Sequence, residues 1–402
     1  MTDTQVQSPA EEALTTAWLA ALAQELDGAR ELREELHREP RVSGEEQDTT
    51  SRVTRAMGIE MVPVADTGGI GRIGPTTGPA IGLRGELDAL PVREATEVTW
   101  ASTTGAMHAC GHDVHLAALT AVVRAAKQLE LPYGLVPVLQ PREEAYPSGG
   151  RDIVQEGMLE QFAIAHMIGA HVHPGVPVGS VATGSGFVNA AAGELDIHVS
   201  GRGGHGAYPH QGSDVATAVA QIVTGIPETL RRHSDPMDPA LVSVGTIQVG
   251  SGASNVLPKE GRIFATIRTT SSTEGRRLAE TIASFAEHQA LAFGCVAELT
   301  HTEGEPALIN DGPLVSAMDA VLEDLGLEHT EPMRSLGADD FSFFSEAVPS
   351  VMCFVGVEGN GVSLHDPTFL PNEDAIERVA RTYIAGYLAG ARTLKQSRHE
   401  AR

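Results

Sequence analysis

Cys110 and His112 stand two positions apart in "MHACGHDVH", a stretch that also carries His108, Asp113 and His115. Gly111 between them frees the backbone, so a thiolate and an imidazole can turn toward one point. That pair suits zinc and other transition metals, although a Cys-Gly-His triplet also arises by chance in unliganded loops. "LQPREE" then places Glu143 and Glu144 directly after a strand-like run. Adjacent side chains on an extended backbone point to opposite sides, so one carboxylate is free to ligate a metal while its neighbour takes a proton from water. Hydrolysis needs that division of labour; without it the pair is simply an acidic loop start. His171 in "GAHVHPG" and His365 in "SLHDPTF" are each, taken alone, ordinary hydrogen-bonded loop histidines. Together, four segments at strand ends each offer a Cys, His or Glu.

The elements that must bring these segments together are readable from periodicity. Leu19, Leu22, Leu26, Leu32 and Leu36 mark an amphipathic opening helix over residues 14–36. Residues 80–87 and 134–140 read as strands, 116–129 as a helix, and helices from Pro313 and Asp374 flank a strand at 351–357. Strands alternating with helices imply an α/β layer whose sites collect at strand ends. Between them, residues 194–200 alternate as a half-buried strand, followed by a helix at 213–232, strands at 241–249 and 261–269, a helix at 272–291 and a strand at 295–300. That β-α-β-β-α-β order is ferredoxin-like, and it interrupts the α/β pattern. The expected organisation is a discontinuous catalytic domain (residues 1–188 and 302–402) with an inserted α+β domain at 189–301.

Composition excludes several functions. With 402 residues, 42% hydrophobic and 20% charged, an ordinary globular protein is expected, and the length favours two domains. A formal charge of −25 argues against nucleic-acid or anionic-membrane partners, which need basic patches. No stretch reaches the ~18 apolar residues of a membrane helix, and the N-terminus lacks the basic start and apolar run of a secretory signal. Three widely spaced cysteines form no disulfide framework and suit a reducing cytoplasm; Cys295 and Cys353 lie in apolar runs as small buried hydrophobes.

The ordered motifs "LHREPRVSGEE", "LRGELDALPVRE", "HACGHDVH", "QPREE", "GAHVHPGVPVG", "GRGGHGAYPHQGSDV", "GSGASNVLP", "ATIRT", "GADDFSFF" and "LHDPTFLPNED" span most of the chain. In that order they resemble the aminoacylase/carboxypeptidase superfamily of two-metal peptidases, in its amidohydrolase branch of hippurate and auxin-conjugate hydrolases. The resemblance implies a zinc-peptidase-like catalytic domain with a mixed sheet, and an inserted ferredoxin-like lid and dimerisation domain. It implies metal ligation by Cys110, His112, Glu144, His171 and His365, with Cys110 where other branches carry a bridging aspartate. Glu143 becomes the general base, and Asp88 an acid that orients a ligand. His205 matches a histidine that stabilises the developing oxyanion, while Asn255 and Arg268 match substrate-binding lid positions. For Arg268 a surface salt bridge is an equal alternative. The implied cofactors are two divalent ions, zinc or manganese with cobalt or nickel open, and the implied assembly is a homodimer or larger oligomer through the lid.

The expected reaction is hydrolysis of N-acyl amino acids or similar small amides. A dipeptidase or carboxypeptidase shares the same centre. A metal-free hydrolase with Cys110 as nucleophile leaves Glu143, Glu144 and His365 unexplained, and a non-catalytic binding protein leaves the base unexplained. Arg142 departs from the family's usual small residue and is expected to alter the acidity of Glu143; Asp339 and Asp340 are expected to cap a helix or support His365.

Overall fold

The computed structural model describes residues 9–359 and 361–400. Residues 1–8, where the N-terminal segment was read for a secretory start, lie outside the described residues. The chain forms two compact units. Unit one holds the residues up to Val188, Ile309–Met333 and those from Asp340 onward; unit two holds Asn189–Leu308 and Arg334–Asp339.

Unit one is built on an eight-stranded mixed sheet. Its centre is four parallel strands, Gly134–Gln140, Ala80–Glu86, Ile164–His173 and Ser350–Gly356, side by side in that order. Three of them are buried at every position; Gly134–Gln140 and Ser350–Gly356 accordingly read as largely apolar runs rather than alternating ones, while Ala80–Glu86 also buries the charged pair Arg84 and Glu86. Short strands complete the edges, some antiparallel: Val62–Val64 and Gly68–Ile70 on one side, Ser180–Ala182 and Glu328–Thr330 on the other.

Helix Pro9–Arg38 buries Trp18, Leu22, Ala29, Leu32 and Leu36 along one face, and Trp18 donates its indole N–H to the Val122 carbonyl at 3.3 Å. That face joins a single core with helices His112–Ala126 and Asp374–Glu400. The central strands share one direction, so the loops after Glu86, Gln140 and Gly356, together with the last residues of Ile164–His173, gather at one rim.

Unit two is a four-stranded antiparallel sheet ordered Ala240–Val249, Glu260–Thr269, Ala191–Ser200, Val296–Glu303. Leu195, Ile197 and Val199 alternate inward with Ile263 and Ile267 against helices Val215–His233 and Ser272–Ala292. Both helices are capped by side chains, Asp214 accepting from Thr217 N–H and Ser271 from Glu274 N–H. The connectivity is β-α-β-β-α-β, apart from a two-residue strand, Val256–Leu257, that pairs with Gly204–His205.

Candidate metal centre

A cluster of ligand atoms is built around a glycine. Gly111 takes φ +84°, and a Cβ there would lie 2.4 Å from Val172 Cγ2, so only glycine permits the turn between Cys110 and His112. The helix starts at His112, earlier than periodicity suggested, because this left-handed residue forms its N-terminal boundary. His112 donates from Nδ1 to the Asp88 carbonyl at 2.7 Å, which leaves its Nε2 bare. Both that Nε2 and Glu144 Oε1 are buried with no hydrogen-bond partner among the described residues. Cys110 Sγ, one His112 nitrogen and one Glu144 oxygen all lie within 4.8 Å of one another.

Two more histidines close the group. His171 donates from Nδ1 to the Val172 carbonyl at 2.7 Å, turning Nε2 toward Cys110 Sγ at 3.4 Å. His365 sits at φ +68° and donates its backbone N–H to the Ala109 carbonyl at 2.9 Å; its Nε2 is 3.4 Å from Glu144 Oε1. Buried, mutually close polar atoms without partners carry a desolvation cost unless a further group satisfies them. A thiol, imidazoles and a carboxylate are the donor set of a transition-metal site, so the residues fit divalent ions.

The glutamates are placed differently from the strand-based expectation. Glu143 Oε2 and Glu144 Oε1 lie 3.7 Å and 3.9 Å from the same atom, His112 Nε2. The strand has already ended at Gln140 and Arg142 takes φ +49°, so the strand alternation no longer separates the two side chains. Glu144 is fixed through its backbone N–H, which donates to Asp88 Oδ2 at 2.9 Å; Ser43 donates to the same oxygen at 2.7 Å. Asp88 therefore holds both His112 and Glu144 in place. Burial pushes its pKa up.

One sequence expectation changes and another narrows. The Arg142 guanidinium is taken up by the Pro147 and Ala65 carbonyls, both at 2.9 Å, and by Asp66 and Asp152, so it serves loop structure. Of the two roles expected for Asp340 the structure shows the helix cap: its carboxylate accepts from Ser148 at 2.7 Å and from the Gly150 N–H at 3.1 Å, at the start of helix Gly149–Gln155, and ties that start to the strand residues Arg84 at 2.9 Å and Gln140 at 2.7 Å. His115, which lies beside the ligands in the sequence, is a brace. It takes the Val172 N–H at Nε2 (2.9 Å) and bonds Glu86 through Nδ1 (3.0 Å), so neither nitrogen is left for a metal. Burial alone would raise Glu86, but Arg84 and His115 hold it well below the usual carboxylate range.

Helix Pro9–Arg38 contributes a second buried ionic group. His37 bonds Asp113 at 3.0 Å and Glu94 at 3.1 Å; burial alone would depress its pKa, but these carboxylates raise it from 6.5 to about 9. A histidine raised on folding stabilises fully below pH 6.5, and that contribution is lost as pH rises through about 9. Thermal or urea unfolding between pH 6.5 and 9.5 should therefore show a loss of about 3 kcal/mol, which His37→Gln largely removes.

Unit two carries the remaining sequence-flagged residues. His205 is exposed and accepts the Ala207 N–H at Nδ1 (3.1 Å), which places its own proton on Nε2 as a donor. The Asn255 carbonyl accepts the Gly206 N–H at 2.7 Å, so these two loops are clipped together. Arg268 is half-buried on its strand, with Nη1 lacking a hydrogen-bond partner among the described residues.

Residues 82–387 match the family model of peptidase family M20/M25/M40. The chain is 31% identical over 363 residues to an N-acetylcysteine deacetylase of Bacillus subtilis, covering 88% of this chain and 94% of that protein. It is 30% identical over 366 residues to an N-acetyldiaminopimelate deacetylase of Halalkalibacterium halodurans, covering 89% and 98%. Among solved structures, the YXEP protein of Bacillus subtilis, described as a dinuclear metal binding peptidase of the M20 family, superimposes with a TM-score of 0.80 at 28% identity, covering 92% of this chain and 99% of that one.

Proposed function

Because the chain belongs to peptidase family M20/M25/M40, we propose that unit one hydrolyses the amide bond of N-acyl amino acids with water activated by divalent metal ions. The observation that carries this reading is the convergence of Cys110, His112 and Glu144, with His112 Nε2 and Glu144 Oε1 buried and without a hydrogen bond among the described residues. Cys110, His112, Glu144, His171 and His365 would hold two ions, zinc or manganese, with cobalt or nickel also accommodated by such donors. Those ions supply Lewis acidity and lower the pKa of water.

The chain's own residues divide the remaining work. Glu143, whose carboxylate stands 3.7 Å from His112 Nε2, takes the proton of the attacking water and returns it to the leaving nitrogen. Asp88 orients His112 and Glu144. His205, with its proton on the outward Nε2, donates to the growing oxyanion; Asn255 and Arg268 grip the amino-acid part, a guanidinium being suited to its carboxylate. Unit two thereby serves as lid. Its strand Ala240–Val249 is a sheet edge with Leu241 and Ile247 exposed, which favours pairing with a second copy, so a homodimer or larger oligomer is part of the proposal. Among the described residues no helix is long and apolar enough to cross a membrane, and the three cysteines are free and buried; a cytoplasmic site of action suits both.

Cys110 is poorly set as a nucleophile. Burial and the Glu144 and Glu143 carboxylates push its thiol well above the usual range, whereas reactive cysteines sit in electropositive surroundings. The test is a panel of N-acetyl, N-benzoyl and longer-chain acyl amino acids beside dipeptides, assayed after chelation and after reloading with each metal. Metal-dependent release of the amino acid is expected, with acyl amino acids preferred. Absence of turnover of every amide by the reloaded protein overturns the reading, and preference for dipeptides replaces it with a dipeptidase.

A further inference from the structure

Away from the ligands, a buried polar strut joins the segments that carry them, and its centre is Arg33. This side chain is 2% exposed, and its Nε donates to Asp113 Oδ2 at 3.0 Å, one residue beyond His112. Its Nη2 donates to the Pro371 carbonyl at 2.7 Å and its Nη1 to the Asn372 carbonyl at 3.4 Å. One guanidinium thus ties the start of the His112 helix to the segment that follows His365, and Trp100 packs over it at 5.4 Å. Only arginine can do this. Its planar fork presents several donors in fixed directions, while a lysine ammonium is a single point on a flexible stem.

The ligands differ in how much they need this tie. His112 and His171 each have a ring nitrogen bonded to a backbone carbonyl, and Asp88 separately fixes Glu144. His365 is half-exposed and sits at φ +68°, a conformation a non-glycine residue holds only when its surroundings over-determine it. His37 shares Asp113 Oδ2 with Arg33, but its other nitrogen goes to Glu94 rather than to the His365 segment.

We propose that Arg33 is a positioning residue that keeps His365 in reach of Glu144 and so sets retention of the one metal ion His365 helps to hold. The proposal rests on the amidohydrolase reading above. It predicts that the two ions respond unequally to a change at Arg33.

The experiment compares full-length wild type, Arg33→Lys and His37→Gln, stripped and then dialysed against graded free zinc, with ions per chain counted by elemental analysis and melting curves confirming folding. Wild type and His37→Gln should bind about two ions. Arg33→Lys should hold one at wild-type affinity and the other about 10- to 100-fold more weakly, with kcat lowered to match at sub-saturating zinc and KM within about threefold. If Arg33→Lys does not fold, Arg33→Gln takes its place in the same measurement. Equal weakening of both ions, no weakening of either, or the same selective loss in His37→Gln overturns the proposal. A wild type that binds no stoichiometric metal overturns the amidohydrolase reading, and this inference with it.

Discussion

Glu143→Ala should leave the metal content of the protein unchanged and lower kcat by about 10²- to 10⁴-fold, the usual contribution of a general base. The two glutamates stand at similar distances from His112 Nε2, yet only Glu144 is anchored through its backbone to Asp88. With Glu144 assigned to the metal, Glu143 is the carboxylate assigned to carry the proton, first from the water and then to the leaving nitrogen. Elemental analysis beside initial rates separates this from a ligand role: parallel loss of metal and activity would move Glu143 into the ligand set. Glu144→Ala is the built-in comparison, and there metal should be lost first.

Cys110→Ser should fail in the opposite order. Burial and neighbouring carboxylates keep the thiol protonated in the metal-free protein, so metal entry must displace its proton. Wild-type affinity should therefore rise about tenfold per pH unit from this group alone. Serine does not ionise under these conditions, so the variant should bind metal roughly 100-fold more weakly or worse and lose that pH slope. Activity should return in part at high free metal. Titration at pH 6, 7 and 8 with a competing chelator reads both effects. Full occupancy with no activity would instead restore the thiol-nucleophile mechanism.

How much of this was legible in the sequence depended on range. The central strands Gly134–Gln140 and Ser350–Gly356 were readable because burial on both faces makes them nearly unbroken apolar runs, and the start of Ala80–Glu86 is apolar in the same way. Unit two was readable because Leu195, Ile197 and Val199 alternate with polar neighbours. Short edge strands such as Val62–Val64 carry too few residues to show a period. The expectation that Glu143 and Glu144 face apart failed because it assumed a strand, and no local signal announces the positive φ of Arg142.

The braces were the least visible part. Asp113 is plain in "CGHDVH", but its partner Arg33 is 80 residues away, and the carbonyl that Arg33 holds at Pro371 is 338 residues away. A carbonyl has no residue type, so no sequence pattern can mark it as a partner. Asp340 has the same difficulty, collecting donors from Arg84, Gln140 and Ser148.

The insertion of unit two into unit one also has a consequence during synthesis. Unit two owns a separate core from residues 195 to 297, so it can fold while the ribosome is still adding the chain beyond it. Unit one cannot finish so early. Its sheet lacks the Ser350–Gly356 strand, its helical layer lacks Asp374–Glu400, and the Cys110 loop lacks His365 until those residues emerge. The nascent chain thus carries a finished unit two while unit one is half-built with exposed strand edges, the interval in which chaperone binding or misassembly has its opportunity.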